Sequence, residues 1–250
     1  MKLKKLQKNW DAFGQIDPMW AILTDPAKRG RKWQAEEFFK TGGQEIDRLM
    51  SHLEALGLPL YRRRALDFGC GLGRLSQALA SHFDEVHGVD IAPSMIRGAE
   101  QYNAHGTRCV YHLNPAPSLE LFSNDTFDLV YSSLVLQHIE PKYSANYIRE
   151  FARVLAPSGA IVFRLPSVLR AVDPPVDSFK QKVKRTLPSP VLDMYHWAKR
   201  PPGPTMEMHG IEREQVASLL TSAGARVVKI AEDDSAGDAW VSFCYFATKA

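Results

Sequence analysis

The sequence predicts an α/β fold: a largely parallel sheet wound on both faces by helices and finished by a reversed strand. Three observations predict it. From Arg64 to Pro166 short apolar runs alternate with helix-like segments, the spacing of strand–helix–strand units. A glycine turn, Gly69-Cys-Gly71-Leu-Gly73, separates the first apolar run from an amphipathic segment. The last two apolar runs are joined by a short turn, which makes them antiparallel neighbours.

The elements follow in order. Trp33 to Leu56 reads as a long helix, preceded by an aromatic segment bearing Trp10, Phe13 and Trp20. Arg64–Phe68 reads as a buried strand, and Arg74–His82 as an amphipathic helix with Leu75, Ala78 and Leu79 on one face. Glu85–Val89 is a second strand. Pro93 opens a helix through Met95, Ile96 and Ala99, proline being suited to a first helical turn. Arg108–Leu113 and Phe127–Tyr131 are further strands, Ser144–Leu155 a helix, and Ala160–Phe163 a fifth strand. Glu212–Ala223 is a helix closed by Gly224. The strands Ala225–Ile230 and Trp240–Phe246 end the pattern.

Composition excludes several classes. The 250 residues are 45% hydrophobic and 24% charged, an ordinary globular balance that leaves no room for disorder or collagen. No apolar run approaches the roughly 18–20 residues a transmembrane segment requires, and the basic start has no apolar stretch behind it, so no secretory signal is expected. Cys70, Cys109 and Cys244 form no paired framework and no metal spacing, which points to a reducing cytoplasmic setting. A formal charge of +3 is too small to argue for nucleic acid.

The chemistry concentrates in Leu66-Asp67-Phe68-Gly69-Cys70-Gly71-Leu72-Gly73-Arg74. Glycines here let backbone approach a ligand and adopt positive φ without a steric penalty. A dinucleotide fingerprint would require G-x-G-x-x-G, whereas Arg74 follows a G-x-G-x-G spacing. Asp67 would repel a diphosphate and attract the ammonium of an amino-acid moiety, so the turn suits a zwitterionic ligand. Gly88-Val89-Asp90 ends the next strand. A carboxylate there can accept both hydroxyls of a ribose, or simply cap the turn before Pro93.

Together these segments resemble the class I S-adenosylmethionine (SAM)-dependent methyltransferases over about Arg64 to Pro166 plus the final two strands. The motifs carrying the resemblance stand in order: Asp67-Phe-Gly-Cys-Gly-Leu-Gly-Arg74, Asp90-Ile-Ala-Pro-Ser-Met95, Phe127-Asp-Leu-Val-Tyr-Ser-Ser-Leu-Val-Leu-Gln-His138 and Arg153-Val-Leu-Ala-Pro-Ser-Gly159. The resemblance implies a Rossmann-like seven-stranded mixed sheet in the order 3-2-1-4-5-7-6, strand 7 antiparallel. It implies a SAM site in which Gly69, Cys70 and Gly71 lie along the methionine part and Asp67 stands near its ammonium. Asp90 would bind the ribose, with Ile91 and Met95 beside the nucleoside. Asn114 stands where the family often has an acid for the adenine amino group, and Ser132 would pass the methionine moiety. The product would be S-adenosylhomocysteine.

Residues 1–60 are expected to form a helical segment closing the cofactor pocket, and 61–250 the SAM-binding domain, with 166–210 as a cap inserted between strand five and the last helix. The cap is rich in proline and interleaves basic with apolar residues. It would suit an anionic substrate or a membrane surface, and equally the solvated face of lid helices. Glu37-Phe-Phe-Lys-Thr-Gly-Gly43 lies within the long helix or breaks it, and Thr41-Gly42-Gly43 could bring backbone to the methionine carboxylate. For acceptor chemistry three residues are candidates: His209 and His138 as bases, and Arg164 as an anion-binding group. No Asn/Asp-Pro-Pro-Tyr/Phe follows strand four, which argues against adenine N-methylation, and no acid cluster suggests a metal. The expected activity is methyl transfer to an oxygen or nitrogen of a small-molecule acceptor by direct displacement. The competing readings are another use of an adenosyl cofactor, such as aminopropyl transfer, and a silent SAM-binding partner protein.

Overall fold

The computed structural model describes residues 2–58, 60–170 and 203–249. Most of the expected cap, residues 171–202, lies outside them. Alternating apolar runs become seven strands: β1 (Arg64–Phe68), β2 (Glu85–Asp90), β3 (Cys109–Leu113), β4 (Phe127–Ser132), β5 (Leu155–Leu169), β6 (Ala225–Asp233) and β7 (Trp240–Lys249). They form one sheet in the order β3-β2-β1-β4-β5-β7-β6. The first five pair in parallel, whereas β7 runs antiparallel to both β5 and β6.

Strand alternation sorts the side chains onto two faces. Leu66, Phe68, Val130, Ile161 and Phe163 pack on one face beneath α6 (Pro141–Val154) and α7 (Arg213–Ser222). Ala65, Leu129, Tyr131 and Val162 pack on the other against α3 (Ala35–Ala55) and the short α4 (Arg74–Leu79). The helix α5 (Pro93–Tyr102) follows β2.

The first 34 residues carry two helices, α1 (Leu3–Ile16) and α2 (Pro18–Ile22). Leu3, Leu6, Trp10 and Phe13 recur every three or four residues and make one apolar face of α1. Polar ties fix where α1 sits. Asp11 accepts the Ser94 N–H at 2.7 Å and its carbonyl accepts the Ser94 hydroxyl at 2.8 Å. Gln7 Nε2 donates to the Ile91 carbonyl at 3.0 Å. The helix is thereby bolted to the carboxyl end of β2.

The structure decides one open alternative and extends one expected strand. Of the two alternatives for the glycine pair at 42 and 43, the helix runs on through it, and a side chain at Gly42 would meet the Arg74 carbonyl at 2.4 Å. Glycine is what lets α3 lie against α4. Strand β5 is also far longer than Ala160–Phe163. Its pairing with β7 carries it through Pro166, with a register shift there, to Leu169.

Candidate active site

The β1–α4 turn is built around its glycines. Gly69 has φ +79° and Gly71 φ +52°, backbone that other residues rarely adopt. A Cβ on Gly69 would lie 2.2 Å from Val135, and one on Gly71 2.5 Å from Ile22. The turn is tied to β2 by Asp90, whose Oδ2 accepts the Gly71 N–H at 2.9 Å and whose Oδ1 accepts the Ala92 N–H at 2.8 Å. Burial pushes the Asp90 carboxyl up, and those backbone hydrogen bonds oppose the rise. Each carboxylate oxygen keeps a further lone pair for an outside donor.

Above this turn lies a cavity of about 350 Å³, at the carboxyl ends of the strands where open α/β sheets bind ligands. Gly69, Gly71, Asp90, Ile91, Met95 and Asn114 line it on the side of β1 and β2. Ser133, Leu134, Val135, Gln137 and His138 line it after β4. Leu3, Leu6 and Trp10 of α1, with Met206 and Met208 of the segment after the cap, supply an apolar wall.

The sequence-expected residues divide. Of the cofactor set, Gly69, Gly71, Asp90, Ile91, Met95 and Asn114 line the cavity. Asn114 spends its side chain locally, donating to the Ser118 carbonyl at 2.8 Å and accepting the Ala116 N–H at 3.2 Å. Asp67, Cys70 and Ser132 are buried outside the lining. Asp67 turns toward α4 because it alternates with Leu66 and Phe68 along β1. There it accepts the Ser76 hydroxyl at 2.6 Å, and burial raises its pKa to about 6. Ser132 donates to the Phe68 carbonyl at 3.0 Å.

Of the acceptor-side candidates, only His138 lines the cavity. Its ring packs 5.1 Å from Trp10. Its Nδ1 lies 2.8 Å from the Glu207 carbonyl oxygen, which can only accept, so Nδ1 carries the hydrogen and Nε2 the lone pair. Burial lowers the His138 pKa. His209 stands one step back: its N–H donates to the Gln137 carbonyl at 2.7 Å, and its Nε2 is 3.7 Å from a Glu207 carboxylate oxygen. Arg164 also stands outside the lining, ion-paired with Glu45 and Asp233.

Sequence reasoning missed the centre of that network, Glu45 of α3. One of its oxygens accepts from Arg164 at 2.7 Å, Tyr131 at 2.8 Å and Ser133 at 2.8 Å; the other accepts from Arg74 at 2.8 Å. Burial alone would raise the Glu45 pKa, but Arg74, Arg164 and the hydrogen bonds overcome it and hold it at about 2. Arg164 also pairs with Asp233 at 2.9 Å. Asp233 accepts from the Ser235 N–H and hydroxyl, and Ser235, Ala236 and Gly237 line the cavity. The one available signal was position: Glu45 is an acid on the apolar face shared by Phe38, Gly42, Ile46, Leu49 and Leu53.

The residues present fit a sulfonium nucleoside. The glycine turn leaves room that a Cβ would fill, Asp90 retains lone pairs for ribose hydroxyls, and Ile91 and Met95 give an apolar bed beside it. The sheet order and this cavity define a Rossmann-like fold of the class I SAM-dependent methyltransferase type. Comparison with known proteins agrees. Residues 65–159 match the methyltransferase domain family model. The chain is 37% identical over 124 residues to a malonyl-[acyl-carrier protein] O-methyltransferase of Halorhodospira halophila, covering 47% of this chain and 39% of that protein. It is 31% identical over 129 residues to phosphoethanolamine N-methyltransferase 3 of Arabidopsis thaliana, covering 51% and 25%. The chain thus spans well under half the length of these two relatives. A magnesium protoporphyrin IX methyltransferase from Synechocystis, solved with bound SAH, superposes over 100% of both chains with a TM-score of 0.63 at 18% identity. Residues 65–159 thus match a methyltransferase domain, on a fold shared with solved SAM-dependent methyltransferases.

Proposed function

We propose that this protein transfers a methyl group from SAM to an oxygen or nitrogen of a small-molecule acceptor by direct displacement, with His138 taking the proton where the acceptor carries one. SAM, when bound, supplies a methyl group on a sulfonium whose sulfur keeps the bonding electron pair as it departs. The chain's own residues do the rest. Gly69, Gly71 and Asp90 hold the nucleoside side of the cavity, and the walls exclude water. His138 carries an unprotonated Nε2 whose lone pair rests on the Gln137 amide at 3.3 Å and becomes available to an acceptor when that weak contact is displaced, and its depressed pKa keeps the ring neutral at physiological pH. Positioning and desolvation carry much of such a displacement.

The observation that carries this reading is the single cavity shared by the glycine turn, Asp90 and His138. A cytoplasmic setting belongs to the same reading. The three cysteines are free thiols, and no helix among the described residues is long and apolar enough to cross a membrane. The test has two parts. Calorimetry should show binding of SAM and S-adenosylhomocysteine, and a screen following S-adenosylhomocysteine release should single out one class of hydroxyl or amine acceptor. Absence of binding by either nucleoside would refute the reading.

A further inference from the structure

We infer that Asn9 of α1 is a positioning residue that keeps His138 in the tautomer able to take a proton, acting through the main chain of residues 205–209. The inference rests on the reading of His138 as base and adds what holds that base in its working form.

The Asn9 amide is paired twice with one peptide. Its Nδ2 donates to the Thr205 carbonyl at 2.6 Å, and its Oδ1 accepts the Thr205 N–H at 2.8 Å. Two opposed hydrogen bonds fix both the position and the direction of the chain at that point. Two residues on, the Glu207 carbonyl meets His138 Nδ1 at 2.8 Å. Two further on, the His209 N–H donates to the Gln137 carbonyl at 2.7 Å, and the Ile211 N–H donates to the Pro166 carbonyl at 3.0 Å. Residues 205–211 therefore form a strap stretched from α1, across the Leu136–His138 turn, to β5. Met206 and Met208 on this strap line the cavity.

The strap decides where the hydrogen of the His138 ring sits. With the hydrogen on Nδ1, the ring donates to Glu207 and presents a lone pair at Nε2, which lies 3.3 Å from the Gln137 amide nitrogen. With the hydrogen on Nε2, a ring lone pair would face a carbonyl lone pair at Nδ1, and an N–H would face an N–H₂ at Nε2. The first arrangement satisfies both contacts and the second neither. Its advantage lasts only while the Glu207 carbonyl is held in place. Asn9 and its neighbour Trp10, whose ring packs on His138, make α1 the support for both ring and strap.

Asn9 is half-buried and Thr205 exposed, so water can replace the lost partners and Asn9→Ala should fold. Asn9→Asp is a second variant that still accepts the Thr205 N–H but cannot donate to its carbonyl. The measurement is the ring ¹⁵N signature of His138 in the full chain with S-adenosylhomocysteine present, assigned by its disappearance in His138→Gln. Wild type should show hydrogen on Nδ1. Both Asn9 variants should shift population to the Nε2–H form and lower turnover about 10-fold, with SAM affinity changed less than twofold. An unchanged tautomer in both variants would overturn the inference. A shifted tautomer combined with full turnover in His138→Gln would uphold the Asn9 support and instead overturn the assignment of His138 as base.

Discussion

Replacing Glu45 by Gln tests the network that joins α3 to the tips of the central strands. Glu45 has a side chain only 19% exposed and sits between two guanidinium groups, and its pKa falls from 4.5 to about 2. At 1.36 kcal/mol per unit, that fall corresponds to about 3 kcal/mol of folding stability. The replacement keeps an oxygen for Tyr131 or Ser133 but removes the charge facing Arg74, which is 3% exposed and bonded to Thr41 and Glu45. Breaking one side of a buried pair typically costs about 3–5 kcal/mol, in line with the linkage value. A chain of this size melts roughly 2–4 °C lower per kcal/mol lost, so the midpoint should drop by about 6–12 °C at pH 7. The sign of the pH dependence follows from the depressed pKa. The stabilisation is complete above about pH 4.5 and fades as pH falls toward 2. Melts followed by circular dichroism at pH 7, 5 and 4 should show a full difference at the first two values and the start of convergence at the third. Wild type and variant melting within 2 °C of each other at pH 7 would refute the assignment of Glu45 as the keystone of the network.

Two further outcomes are expected. Gly69→Ala places a Cβ against Val135 at a backbone angle suited to glycine; the left-handed strain alone costs about 1–2 kcal/mol, and SAM affinity by calorimetry should fall at least about tenfold, equivalent to 1.4 kcal/mol. If His138 is the base, its burial-lowered pKa keeps it neutral further into acid than a free imidazole. The acid limb of kcat against pH should then lie below 6.5, and it should disappear in His138→Gln.

The central strands were legible because each is a short apolar run between turn signals, and the reversed β7 was legible from the turn that replaces a helix before it. What escaped has physical causes. Pro166 read as the end of a strand, yet β5 runs through it because its pairing with β7 resumes after a register shift; at the other end β5 starts before Pro157 because Leu155 pairs with Phe127 of β4 ahead of a second register shift. The bounds of the first helices were not read, because lysines interrupt Leu3, Leu6, Trp10 and Phe13, although the spacing of those four is helical. At the site, a motif locates a turn but not the side to which each side chain points. Alternation along β1 sends Asp67 to the α4 face, and Ser132 spends its hydroxyl on the Phe68 carbonyl, whereas Asp90 lies at a strand end and lines the cavity. Glu45 belongs to no local motif, and its partners come from positions 29 to 119 residues away.

The cavity also explains why likeness to several methyltransferases leaves the acceptor to this chain's own residues. The matched stretch, residues 65–159, supplies the glycine turn, Asp90, Asn114 and His138. The opposite wall is made by Leu3, Leu6, Trp10, Ile22 and Thr24 before that stretch, and by Met206, Met208 and Ser235–Gly237 after it. On the proposed reading, the conserved architecture presents the methyl group while the two flanks shape what can reach it, in keeping with function residing in sites grafted on a common fold. No lysine or arginine among the described residues lines the cavity, and Arg164 is paired with Glu45 and Asp233. Among the described residues the cavity wall thus presents Asp90, Asn114, Gln137 and His138 among its polar side chains beside a largely apolar surface.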